Sequence, residues 1–210
     1  AYGGFAVVTT KGRACLEGIG LADSVSLDPH KWLYVPFECG SLMVRDPGLL
    51  LEAFHILPDY MRDLRPGSGE VNFADYGEQL SRYARALKVW LCVSYYGTDT
   101  LALAIEASME RAELAEQLVR ATPDLEVLSP ARLGILCFRA HPRDIEDPTR
   151  LDQLNHRVLE RVNANGRFFI STTRLQGRLA IRICTCGWRT ESDDIRALVA
   201  EVRAAVSGER

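Results

Sequence analysis

The chain has 210 residues, 47% of them hydrophobic and 25% charged, with a formal net charge of -3. This length supports one large or two small domains with a true core, and the composition is that of an ordinary globular protein. The charge balance gives no electrostatic reason to expect nucleic acid or an anionic membrane as partner, and no apolar run reaches the length of a membrane span.

Ala1-Tyr2-Gly3-Gly4-Phe5 opens the chain with neither an initiator methionine nor an element entry, and reads as the middle of a strand-to-loop passage. Residues 5–9 (FAVVT) and 39–45 (CGSLMVR) are short apolar or β-branched runs, as in buried strands. Between them KGRACLEG predicts a short helix or turn, and ADSVSL another strand. Asp46 and Pro47 are suited to the cap and first position of a short helix over about 47–55. Residues 58–77 carry glycine, proline and charge without periodicity, so a long functional loop is expected there.

A long helix is predicted from Glu78 to Tyr96, with Leu80, Tyr83, Leu87, Trp90, Leu91 and Ser94 on one face. Gly97 is placed to end it, and a second helix to follow over 99–121. Beyond it LEVL and GILCFRA read as strands around a turn at Ser129-Pro130. Asp147-Pro148 is a second cap and first-turn pair, ahead of a helix with the apolar face Leu151, Leu154, Val158, Leu159 and Val162. Gly166 is placed to close that helix. RFFISTT and RLAIRICT are two strands joined by LQG, and Thr190 with Asp193 has capping-box spacing before a last helix to about Val206. The expected organisation is a unit over 1–97 that ends in the long helix, and a smaller α+β unit over 98–210.

The six cysteines are scattered and none forms C-x-x-C, which suits a reducing, cytoplasmic setting better than a disulfide framework. Cys184 and Cys186 fall on one face of a strand, but a second ligand pair at metal spacing is lacking in the sequence, so no metal site is expected.

The chemistry concentrates at Ser26-Leu27-Asp28-Pro29-His30-Lys31-Trp32. Pro29 restricts Asp28 to extended geometry, so the segment should turn sharply out of the preceding strand. Strand ends in open α/β sheets are common places for functional side chains. Trp32, Leu33, Tyr34 and Val35 are expected to surround the Lys31 amine with apolar surface, and desolvation favours the neutral amine that attacks carbonyls. A surface lysine in a loop is the other reading that these residues allow.

Asp28-Pro29-His30-Lys31-Trp32, with Arg85-Ala86-Leu87-Lys88-Val89-Trp90 downstream, resembles the group II pyridoxal-phosphate-dependent amino-acid decarboxylases. That family includes aromatic-amino-acid, histidine and glutamate decarboxylases. Ala1-Tyr2-Gly3-Gly4-Phe5 is similar to the end of its D-x-A-Y-x-G segment, and residues 133–139 and 178–184 resemble its C-terminal domain. The resemblance implies an α/β fold of the fold-type I PLP-dependent transferase kind, here a truncated large domain followed by a smaller α+β domain. It implies pyridoxal 5'-phosphate as cofactor and decarboxylation of an L-amino acid, most simply an aromatic one, to the amine and carbon dioxide.

Role by role, the resemblance makes Lys31 the lysine that holds the cofactor as a Schiff base. His30 and Asp28 match positions that contact the cofactor or its phosphate, where the family often has asparagine in place of Asp28. Ala1 matches a small residue against one face of the pyridine ring, and Phe37 an aromatic wall of the substrate pocket. Tyr60, in the expected mobile loop, matches a tyrosine that returns a proton to the substrate carbon. Relatives that release aldehyde carry phenylalanine there, so Tyr60 disfavours that alternative.

Ser81 matches a position near the partner subunit's cofactor phosphate, which implies a homodimer. Serine there hints at a tyrosine- or dopa-like substrate. Arg82 and Arg85 are expected to make structural ion pairs. The family's ring-nitrogen aspartate would stand two places before Ala1, so the chain reads as the C-terminal half of a longer enzyme, inactive by itself. The competing reading is a non-catalytic remnant that serves as a dimerisation or interaction module.

Overall fold

The computed structural model describes residues 1–56 and 71–209. Tyr60 and most of the expected loop at 58–77 lie outside the described residues. The chain divides into two compact units that do not follow chain order: residues 1–4 with 17–95, and residues 5–16 with 96–210. Among the described residues no helix is long and apolar enough to cross a membrane.

In the first unit β1 (Ser24–Leu27) pairs antiparallel with β2 (Ser41–Val44), Ser24 opposite Val44 and Leu27 opposite Ser41. The expectation of buried strands fails for β2: Leu42 and Met43 are 56% and 59% exposed, because this is a two-stranded ribbon. Between the two strands lies the one-turn helix α2 (Pro29–Trp32), entered from extended Asp28 with Pro29 in its first turn. Trp32 is fully buried and its ring meets Tyr2 edge-on at 5.2 Å. The short helix α3 (Gly48–Phe54) has Pro47 at its N-cap, one place earlier than the first helical position expected of it, and Asp46 Oδ1 accepts from the Gly48 N–H at 2.9 Å.

The helix expected from Glu78 starts only at Arg85, since residues 77–84 are irregular. From there α4 (Arg85–Ala121) extends through 37 residues, interrupted at Gly97, whose φ of 76° only glycine adopts freely. The row at helical spacing is open to solvent: Leu87, Trp90 and Leu91 are 55%, 63% and 52% exposed.

The second unit takes in residues 5–16. The FAVVT run is not a strand but part of a 3-10 turn, Gly4–Val8, followed by α1 (Thr10–Cys15). Local capping overrides β-branching here. Thr9 Oγ1 donates to the Ala6 carbonyl and accepts from the Gly12 N–H at 2.8 Å, which coils the chain. A side chain at Gly12 would collide with the Ala6 carbonyl oxygen.

The main sheet of this unit is antiparallel in the order β3 (Leu125–Arg132), β4 (Ile135–Ala140), β6 (Arg178–Cys184), β5 (Ser171–Leu175). The first hairpin turns at Leu133-Gly134, not at Ser129-Pro130. Pro130 is tolerated inside β3 because β3 is an edge strand with register shifts on either side of Ser129.

Leu136, Phe138 and Ala140 of β4 and Ile181 and Ile183 of β6 join one core with α5 (Pro148–Ala164), α6 (Ser192–Gly208) and the end of α4. Leu154, Val158 and Val162 of α5 are fully buried, as their spacing predicts. Asp147 caps α5, its Oδ1 accepting from the Arg150 N–H at 2.8 Å. The cap of α6 lies one residue later than its sequence suggests: the Glu191 N–H donates to Asp194 Oδ2 at 2.9 Å. Asn155 is buried with these side chains, its amide bonded to both backbone groups of Ala140 and to the Leu151 carbonyl.

Candidate functional site

The site forms where β1 ends. The Asp28 N–H donates to the Ala1 carbonyl at 2.9 Å, so the first residue of the chain is fixed beside the strand end. Extended Asp28 followed by Pro29 starts a single helical turn, and the Lys31 N–H donates back to the Asp28 carbonyl at 2.9 Å. That turn brings the side chains of residues 28 and 31 together. Lys31 Nζ lies 2.5 Å from Asp28 Oδ2.

The apolar neighbours do not enclose the amine. Trp32, Leu33 and Val35 are turned into the core at 0%, 5% and 2% exposure, while the Lys31 side chain is 43% exposed. The reason is helical geometry: in one turn, adjacent residues point in different directions, so burying Trp32 turns Lys31 outward. The hydrogen bond from Lys31, aided by its charge, holds the Asp28 carboxyl below the ordinary carboxylate range.

His30 is fixed by a residue nine places away. Its Nδ1 lies 2.6 Å from the Cys39 carbonyl and 3.1 Å from the Cys39 amide nitrogen. With a proton on Nδ1 the ring donates to the carbonyl; without one it accepts from the amide. The Phe37 ring meets His30 edge-on at 4.9 Å and is otherwise 84% exposed. An accessible amine, a carboxylate, an oriented imidazole and an open aromatic face thus come from residues 28–37.

The structure gathers Ala1, Asp28, His30, Lys31 and Phe37. Ser81 is exposed in the irregular stretch before α4, and among the described residues no hydrogen bond joins it to this cluster. Tyr60 lies outside the described residues. The sequence reading did not single out Glu38 and Cys39, the residues that support the site. Glu38 Oε1 accepts from Arg85 Nε at 2.8 Å and Nη2 at 2.6 Å, and the Glu38 carbonyl accepts from Lys88 Nζ at 2.5 Å. Arg85 therefore makes the ion pair expected of it, while Arg82 donates to the Phe73 carbonyl at 3.4 Å. The RALKVW motif was the available signal: its two cations had to meet some acceptor, but the sequence does not say which.

This donor set suits a cofactor that bears a carbonyl group. A primary amine at a half-open surface can form a covalent bond to such a group, and the imidazole and aromatic ring beside it can border a planar ligand.

Comparison with known proteins agrees with this chemistry. Residues 1–141 match the pyridoxal-dependent decarboxylase conserved domain. The chain is 35% identical over 205 residues to an aromatic-L-amino-acid decarboxylase of Bacillus atrophaeus, covering 97% of this chain and 43% of that protein. It is 31% identical to a phenylacetaldehyde synthase of Arabidopsis thaliana, covering 89% of this chain and 38% of that one. Among solved structures, Oryza sativa TDC with PLP and tryptamine superposes with a TM-score of 0.89 at 29% identity, covering 99% of this chain and 43% of that one. The chain thus spans about two-fifths of the length of these relatives.

Proposed function

From the premise that this chain belongs to the pyridoxal-dependent decarboxylase family, we propose that it serves the decarboxylation of an L-amino acid, most simply an aromatic one, to the amine and carbon dioxide. The observation that carries the reading is the Lys31 amine, set at a strand end beside Asp28 and His30 and open to solvent. Similarity to an aromatic-L-amino-acid decarboxylase and to a TDC structure that holds PLP and tryptamine supports both cofactor and substrate class.

In this reading Lys31 holds pyridoxal 5'-phosphate covalently through its amine. When bound, that cofactor supplies an electron sink for the pair left on the α-carbon as the carboxylate departs. Asp28 orients the Lys31 amine, and His30, fixed by Cys39, borders the ring. Ala1, with only a methyl group, leaves room at the strand end. Phe37 offers its exposed face to an aromatic substrate.

Tyr60 would give the proton of its hydroxyl to the α-carbon. Ser81 serves a neighbouring subunit's site in a homodimer, a reading supported by the exposed apolar row Leu87, Trp90 and Leu91. Scattered cysteines without a disulfide framework support a cytoplasmic setting.

Pyridoxal phosphate followed by borohydride tests the reading. A label confined to Lys31 in the peptide map, lost in Lys31→Ala, is the expected result. Label spread over the exposed lysines, or none, overturns the assignment of Lys31. Incubation with aromatic L-amino acids, once the portion that the longer relatives carry beyond this chain is restored, then separates the two chemistries found among the relatives. Amine is expected as product, and aldehyde would place the chain with the aldehyde-forming relatives.

A further inference from the structure

Cys184, the last residue of β6, and Cys186, just beyond the strand, lie on either side of a fully buried threonine. Thr185 is 0% exposed. Its Oγ1 donates to the Ser108 carbonyl at 2.7 Å, its N–H donates to the Gly134 carbonyl at 2.9 Å, and its own carbonyl accepts from Ser108 Oγ at 2.6 Å. Thr185 is therefore anchored by α4 and by the β3–β4 turn. In extended chain the two neighbours of an inward side chain point outward together.

Cys184 and Cys186 accordingly share the outer side, with their sulfurs 3.2 Å apart. That is hydrogen-bond contact, well beyond the roughly 2.05 Å of a disulfide. Cys184 is exposed and Cys186 half-buried, so small reagents reach the pair. Among the described residues no group of three or more His, Cys, Asp or Glu that could hold a metal ion includes them.

The charge distribution singles out one of the two. Hydrogen bonding with the Cys186 sulfur, with the Arg182 guanidinium two residues back on the same face of β6, holds the Cys184 thiol down at about 6. The remaining cysteines differ. Burial pushes the Cys92 and Cys137 thiols up, Cys39 is buried, and Cys15 is exposed with no second sulfur beside it among the described residues.

We propose that Cys184 and Cys186 form a peroxide-reactive dithiol, in which Cys184 attacks, Cys186 resolves, and the pair closes to an intrachain disulfide. The Cys184 thiolate attacks one oxygen of a hydroperoxide; an S–O bond forms, the O–O bond breaks, and the departing alkoxide takes a proton to become an alcohol, or water when the oxidant is hydrogen peroxide. The Cys186 sulfur then attacks the sulfenic sulfur of Cys184. The S–S bond forms, the S–O bond breaks, and hydroxide leaves with the Cys186 proton as water. The two sulfurs lose two electrons and the peroxide gains them. Anchoring at Thr185 makes the second step intramolecular between atoms already in contact.

Trypsin cuts after Arg182 and Arg189, so the peptide Ile183–Arg189 carries both cysteines and no other. After brief treatment of the purified protein with hydrogen peroxide and then an alkylating agent, this peptide is expected unalkylated and lighter by two hydrogens, while the Cys15 peptide is alkylated. Cys186→Ser is expected to accumulate a dimedone-reactive sulfenic acid at Cys184. Cys184→Ser should slow oxidation at position 186 about tenfold.

The proposal is overturned if Cys184 and Cys186 remain alkylatable at peroxide doses that oxidise Cys15. It is equally overturned if both oxidise without joining. Neither readout depends on cofactor or on turnover, so the result is independent of the decarboxylase reading.

Discussion

The Lys31 amine and the Asp28 carboxylate, three residues apart across one helical turn, meet at 2.5 Å. The contact depends on Pro29, which makes Asp28 extended and starts the turn in the same step. The amine that the proposed chemistry requires is thus positioned by a local device while its tip stays open to solvent.

This pair predicts an acid limb in stability. The Asp28 carboxyl binds a proton less readily in the folded chain than in the unfolded one. Its contribution is therefore complete above the unfolded value and is lost as pH falls through the lower, folded value, below about pH 4. Because the Lys31 side chain is 43% exposed, the pair is worth only about 0.5–1 kcal/mol. Asp28→Asn should cost that amount at pH 7 and flatten this part of the pH dependence, read by denaturant melts from pH 3 to 7.

The contact of two Arg85 nitrogens with Glu38 Oε1 supports the segment that carries Phe37 and Cys39, and Cys39 fixes the His30 ring. Arg85→Ala should leave Lys31 as the labelled residue. It should raise the pyridoxal phosphate concentration for half-maximal labelling by about two- to tenfold, the usual size of coupling within one network. Titration of the borohydride-fixed label measures it, and an unchanged midpoint would show that this clamp does not position the site.

Asn155 predicts a large loss of stability. Its side chain is fully buried and pairs with the Ala140 N–H at 2.7 Å, the Ala140 carbonyl at 2.9 Å and the Leu151 carbonyl at 2.8 Å. Asn155→Leu restores apolar volume but strands those backbone groups, at a cost of about 2–4 kcal/mol. Urea unfolding gives the number, and a loss below half of that range would mean that water replaces the amide.

Gly12 predicts a steric effect. A Cβ there would strike the Ala6 carbonyl oxygen, which cannot rotate away as a flexible side chain does. Gly12→Ala should destabilise by about 1–3 kcal/mol, against the helix-propensity gain that alanine normally brings. Thermal unfolding decides the sign.

Several features were legible because their causes lie within a few residues. Asp147-Pro148 started α5, the spacing of Leu154, Val158 and Val162 gave its buried face, and Asp28-Pro29 turned the chain at Lys31. Misreadings came where a local signal met a stronger partner. FAVVT has strand composition, yet Thr9 bonds on both sides of itself and coils it. Ser129-Pro130 has turn composition, yet an edge strand accommodates it and the chain turns at Leu133-Gly134.

The sequence by itself determined which residues could do chemistry and which local turns present them, since capping, proline geometry and helical periodicity act over three or four positions. The tertiary structure alone decided exposure and partners. Lys31 faces out because Trp32 fills the core. His30 is oriented by Cys39, Glu38 is held by Arg85, and the Cys184–Cys186 pair is set by Thr185 bonding to Ser108 and Gly134. Those contacts join positions 9, 47, 51 and 77 apart, so they exist only once the chain has closed on itself.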